Sequence, residues 1–133
     1  MREIKFRAWL KSNNLMYDVL CIDTAEKKAL IEHGDMRGYA KYPDEIILMQ
    51  YTGLKDENDE EIYEGDIIKA VSFAKPIGIV KYSDENQAFI FNDLDKKYRG
   101  YSTALMNQFD DGFEILGSIY ENPELLEGAT HDI

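Results

Sequence analysis

Short apolar runs of β type, each bounded by turn residues, recur along nearly all of this 133-residue chain, and that punctuation limits the fold more than any other feature. Ile67 to Phe73, Ile77 to Tyr82 and Ala88 to Phe91 are separated by Lys75-Pro76 and by Ser83-Asp84-Glu85-Asn86, the spacing of short strands in a meander. Near the start, Ile4, Phe6 and Ala8 alternate with Lys5, Arg7 and Trp9, Lys11 to Asn14 reads as a turn, and Leu15 to Asp23 resumes β character. An N-terminal β-hairpin follows. Ile46 to Gly53 reads as a buried strand, Leu54 to Tyr63 as a hairpin with a two-residue turn at Asn58-Asp59, Glu64-Gly65-Asp66 as a tight turn, and Phe113 to Tyr120 as a last strand. A long polar connection covers 92–112. Asn122 as N-cap, Pro123 at N1 and Gly128 past the end predict a short C-terminal helix. Two segments read less simply. Residues 24–33 suit either a helix capped by Thr24 or a second hairpin turning at the lysines, and 34–44 read as a surface loop. The expected class is mainly β, α+β at most: a compact curled sheet or small SH3-like barrel carrying the N-terminal hairpin, in one domain over 1–133.

Charge narrows the partners. The net charge of −11 is unevenly placed: residues 1–53 carry eight Lys/Arg and eight Asp/Glu, whereas 54–133 carry seven and eighteen. Such a field favours basic partners and opposes attraction to phosphate backbones and anionic lipids. Cys21 is the only cysteine, so no intramolecular disulfide forms, and alone it reads as a small core residue. With no apolar stretch of signal-peptide or membrane-span length, a cytoplasmic protein is expected.

No catalytic constellation emerges. Gly100-Tyr101-Ser102-Thr103-Ala104 is spaced like a nucleophile elbow, but Lys96-Lys97-Tyr98-Arg99 stands where an apolar strand must precede the serine. Neither His33 nor His131 has a recognisable partner. Asp56-Glu57-Asn58-Asp59-Glu60-Glu61 begins like a calcium loop, yet Glu61 replaces the turn glycine and Ile67 falls where the bidentate glutamate belongs. No metal, no cofactor and no enzymatic activity are expected. The candidate binding patch is the aromatic and acidic stretch of Tyr51, Asp56, Glu57, Asp59, Glu60, Glu61 and Tyr63. Turn chemistry explains the same residue types: Gly53 and Gly65 for tight turns, Asp66 for accepting backbone N–H bonds, and the two tyrosines for cross-strand packing. The alternative is single-stranded nucleic-acid binding through Trp9 and the loop of Lys96, Lys97, Tyr98 and Arg99, which the acidic total opposes.

Phe6-Arg7-Ala8-Trp9, the run Leu48 to Asp56, then Ile62 to Lys69, and finally Ile119 to Leu125 together resemble the YopX family. The resemblance implies a small phage or prophage protein and brings no catalytic residues with it. The family often places Asn-Gly at the hairpin turn, where this chain has Asn58-Asp59. The expected function is therefore a non-enzymatic accessory protein that binds a host or phage protein through an acidic surface, with homo-oligomerisation open.

Overall fold

The computed structural model describes residues 3–71, 76–85, 87–94, 102–104 and 112–126. Its contacts divide into two units, Met1–Tyr51 and Thr52–Ile133.

In the first unit, β1 (Phe6–Leu10), β2 (Leu15–Asp23), β3 (Lys28–His33), β4 (Met36–Lys41) and the start of β5 (Ile46–Lys55) form an antiparallel sheet in the order β4-β3-β2-β1-β5. The N-terminal hairpin is present, with Leu10 opposite Leu15 and Asn14 closing the turn at φ 56°. One face of the sheet is apolar: Ala8, Tyr17, Ala29, Ile31, Ala40 and Ile46 are buried together, with Leu10, Val19 and Ile22 against them. Residues 24–33 resolve as the hairpin. Asp23 Oδ1 accepts N–H bonds from Ala25 and Glu26 (both 3.0 Å), and Lys27 takes φ 54°, so the carboxylate before Thr24 shapes a turn.

Two expectations are corrected here. The segment expected as a loop contains β4, paired along its whole length with β3 from His33↔Met36 to Lys28↔Lys41. Only Ala40 of β4 is buried, so the strand carries no apolar alternation and its ladder comes entirely from its neighbour. Cys21 is exposed rather than buried, because the β2–β3 register shifts between Val19 and Cys21. The bulge leaves Leu20 46% exposed beside it.

In the second unit, the end of β5 is followed by β6 (Glu61–Tyr63), which continues the first sheet's order next to β5. Then β7 (Asp66–Ala70), β8 (Ile77–Ser83), β9 (Ala88–Asp93), β10 (Ser102–Ala104) and β11 (Phe113–Ser118) form an antiparallel sheet ordered β10-β9-β8-β7-β11. The predicted meander is β7 to β9, and the last strand returns beside β7. Ile62, Ile68, Ala70, Val80, Phe89, Phe91 and Phe113 make this unit's core, with Phe91 and Phe113 stacked at 6.0 Å between centroids. Each of the Ile, Val and Phe side chains among them contributes about 1.5–3 kcal/mol when fully buried. Among the described strands neither sheet closes on itself, so open sheets are found rather than an SH3-like barrel.

The C-terminal helix is present, its described part being 124–126, with Leu125 N–H bonded to the Asn122 carbonyl (3.1 Å). Asn122 does not cap it through its side chain. Its Oδ1 accepts the Ser118 N–H instead (3.2 Å), folding the end of β11 back on the turn. A Cβ at Gly117 would displace the Asn122 side chain and with it the bond to Ser118.

Candidate functional site

The stretch from Tyr51 to Asp66 divides into a buried frame and an exposed loop. Tyr51, at the end of the first unit, is 5% exposed, donates its N–H to the Lys5 carbonyl (2.8 Å) and has the Lys5 ammonium 5.5 Å from its ring centroid. Tyr63 in the second unit is also buried, and its N–H donates to Asp66 Oδ2 (2.8 Å). Neither tyrosine offers its ring as a contact surface. Gly65 makes the turn at φ 86°, whereas Gly53 takes φ 90° inside β5, not at a turn.

Asp56 organises the loop between β5 and β6. Its N–H donates to the Glu60 carbonyl (2.8 Å), and its own carbonyl accepts the Asp59 N–H (3.0 Å). Asp59 adopts φ 68°, so a β-turn through Glu57 and Asn58 is followed by a left-handed residue, the geometry of a three-residue hairpin loop. The expected hairpin is present, but its loop has three residues rather than the expected two, and the positive φ falls on Asp59 alone. Inside the turn, the Asp56 carboxylate accepts three backbone N–H groups: Asn58 (2.8 Å) and Glu60 (2.9 Å) on Oδ1, and Ile115 (3.1 Å) on Oδ2. Glu57 N–H adds a bond to the Phe113 carbonyl (2.8 Å). The loop is thereby fastened to β11, far away in sequence.

Asp56 is only 8% exposed, so it is removed from the contact surface and becomes its support. Glu57, Asp59 and Glu60 project into solvent. Asp59 shares its charge with Lys55 (3.6 Å), and half-buried Glu61 accepts the Tyr63 hydroxyl (3.3 Å). Glu57 and Glu60 have no ionic partner among the described residues. Of this loop's carboxylates, they are the two left without a partner among the described residues. A calcium-like arrangement is absent from this loop, because Asp56 turns its oxygens inward to amides. Among the described residues no three His, Cys, Asp or Glu side chains converge as a metal site.

The alternative face on β1 is not available for stacking. Trp9 is 8% exposed, Lys11 Nζ donates to the Pro43 carbonyl (2.9 Å), and Arg7 is half-buried. Both faces of β1 are covered at its centre, where simple alternation put Trp9 outside. Lys96, Lys97, Tyr98 and Arg99 lie outside the described residues. Ser102 to Ala104 form β10, with Ser102 opposite Asn92, so the serine sits in a strand ladder. His33 Nδ1 is 2.9 Å from the Met16 carbonyl oxygen.

Two open antiparallel sheets, a short C-terminal helix, and a hairpin loop held by an inward aspartate define a small, mainly β protein among the described residues. The family profile described as "YopX protein" matches residues 5–127, and the chain belongs to that family. Two solved structures share the fold. Protein yopX from Bacillus subtilis superposes with a TM-score of 0.62 at 24% identity, covering 96% of this chain and 98% of its own. Protein EF1440 from Enterococcus faecalis does so with a TM-score of 0.58 at 24% identity, covering 95% and 99%. No curated protein sequence matches the chain. Among the described residues no helix is long and apolar enough to cross a membrane.

Proposed function

We propose that this chain is a non-enzymatic phage or prophage accessory protein of the host cytoplasm that binds a basic protein surface through the β5–β6 loop. The observation that carries the reading is the inward Asp56 carboxylate, which holds Glu57 and Glu60 exposed and unpaired on a loop fastened to β11. A loop already ordered loses little conformational entropy on binding, and its charges work mainly through steering and register. The excess negative charge of residues 54–133 adds a long-range field of the same sign.

The test is affinity capture from host lysate with the wild-type chain and with the E57K/E60K variant, which spares Asp56. A partner retained by wild type and lost by the variant, with binding weakened by raised salt, supports the reading. Equal affinity of both chains for every captured partner overturns it.

A further inference from the structure

We infer that the outer edge of β4 is a self-association site, at which β4 of a second copy pairs antiparallel about a two-fold axis at Gly38. Independently of the acidic loop, the backbone groups of β4 are only partly spent on its neighbours. His33 and Met36 close a two-residue turn, so Met36, Gly38 and Ala40 direct their N–H and C=O groups toward β3, and Arg37, Tyr39 and Lys41 direct theirs outward. Two bonds agree with this phase. Tyr42 N–H turns inward to the Lys27 carbonyl (3.0 Å), while the outward Lys41 N–H is taken by Glu45 Oε1 (2.8 Å) and its carbonyl by Glu45 N–H (2.9 Å). Lys41 is therefore closed to a new strand, and the outward groups of Arg37 and Tyr39 remain open on the edge of the sheet.

Only one two-fold register uses those groups and no others. With Gly38 opposite Gly38 of the second copy, Arg37 lies opposite Tyr39 of that copy as a hydrogen-bonded pair, and the reverse pair forms by symmetry. Moving the axis to Tyr39 sets Arg37 against Lys41 of the second copy and needs the occupied Lys41 groups. Moving it to Arg37 sets two arginines face to face. Like charges directly opposite destabilise a strand pair, so both alternatives are disfavoured.

Side chains favour the same register. It brings Asp35 of each copy beside Lys41 of the other. Both are exposed, and among the described residues neither has an ionic partner within its own chain. Within the chain Lys41 instead faces Lys28 across β3–β4, a like-charge pair that an incoming carboxylate relieves. Tyr39, 61% exposed with the Lys28 ammonium 4.8 Å from its ring centroid, gains Arg37 of the second copy as a neighbour. A Cβ on Gly38 would meet nothing within 4 Å, so packing inside the chain does not demand glycine there. Glycine in a strand interior is a frequent mark of close approach by another backbone. Residues 1–53, which include β4, carry equal numbers of acidic and basic side chains.

A pairing of one short strand buries little area, so the association is weak and micromolar. Sedimentation velocity on the full chain from about 1 µM to about 500 µM reads it directly. A concentration-dependent shift toward twice the monomer mass is expected. D35K and K41D each weaken it about tenfold, since each replaces two cross-strand attractions with two repulsions, and the charge-swapped D35K/K41D chain recovers wild-type affinity. Y39P abolishes it while keeping the monomer's circular dichroism, because the Tyr39 N–H points away from β3. A monomer throughout the range overturns the proposal, as does an oligomer that the single substitutions leave unchanged or that the charge swap does not rescue.

Discussion

Replacing Asp56 is the sharpest test of how the candidate loop is held. In D56A, three backbone N–H groups lose a charged acceptor at 2.8, 2.9 and 3.1 Å. Asn58 and Glu60 are exposed, so water takes over much of their bonding and each loss costs about 1 kcal/mol. Ile115 is half-buried in β11, and its amide loses a bond to a largely buried carboxylate, costing about 1–2 kcal/mol more. The expected destabilisation is about 3 kcal/mol, a fall of roughly 10 °C in Tm for a chain of this size. D56N keeps one carbonyl oxygen but must present its NH₂ group to an N–H donor on one side, and loses about half as much. Urea denaturation gives the free energies, and amide exchange at Ile115 locates the effect, with D56A accelerating it strongly. E57A/E60A, exposed and unpaired, changes stability by under about 0.5 kcal/mol. A D56A chain within about 0.5 kcal/mol of wild type, with Ile115 exchange unchanged, would refute the account of the loop as a carboxylate-fastened frame.

Three further outcomes follow from particular residues. D59G stabilises the chain by about 0.5–1 kcal/mol in the same denaturation assay, because φ 68° strains an L side chain and the exposed Lys55–Asp59 bridge it removes is worth only a few tenths. G78A destabilises by about 2 kcal/mol or more, since its Cβ would lie 2.8 Å from both the Asn92 carbonyl oxygen and the Phe91 ring. Cys21 in the native chain reacts with a thiol reagent such as DTNB as readily as in the unfolded chain, reporting its exposure beside the β2 bulge.

Local chemistry alone determined much of this protein. Turn residues and β-type runs specify the N-terminal hairpin, the meander of β7 to β9, the loop at Asn58-Asp59 and the turn at Gly65, because each depends on φ/ψ preferences and contacts only a few residues apart. The family was equally legible, since its motifs are short and ordered along the chain. Tertiary structure decided what depends on distant neighbours. The strand β4 exists because β3 supplies its ladder, although only Ala40 of its own residues is buried. Trp9 is buried on the face that alternation assigns to solvent, and Cys21 is exposed because a register shift, invisible in the sequence, turns it outward. The acidic stretch shows the division most clearly. Its carboxylates are alike in the sequence, but Asp56 alone meets the Ile115 amide of β11, so it became the frame and left Glu57 and Glu60 as the surface. A carboxylate's role is set by which donors surround it, and strands remote in sequence supply them only once the chain has folded.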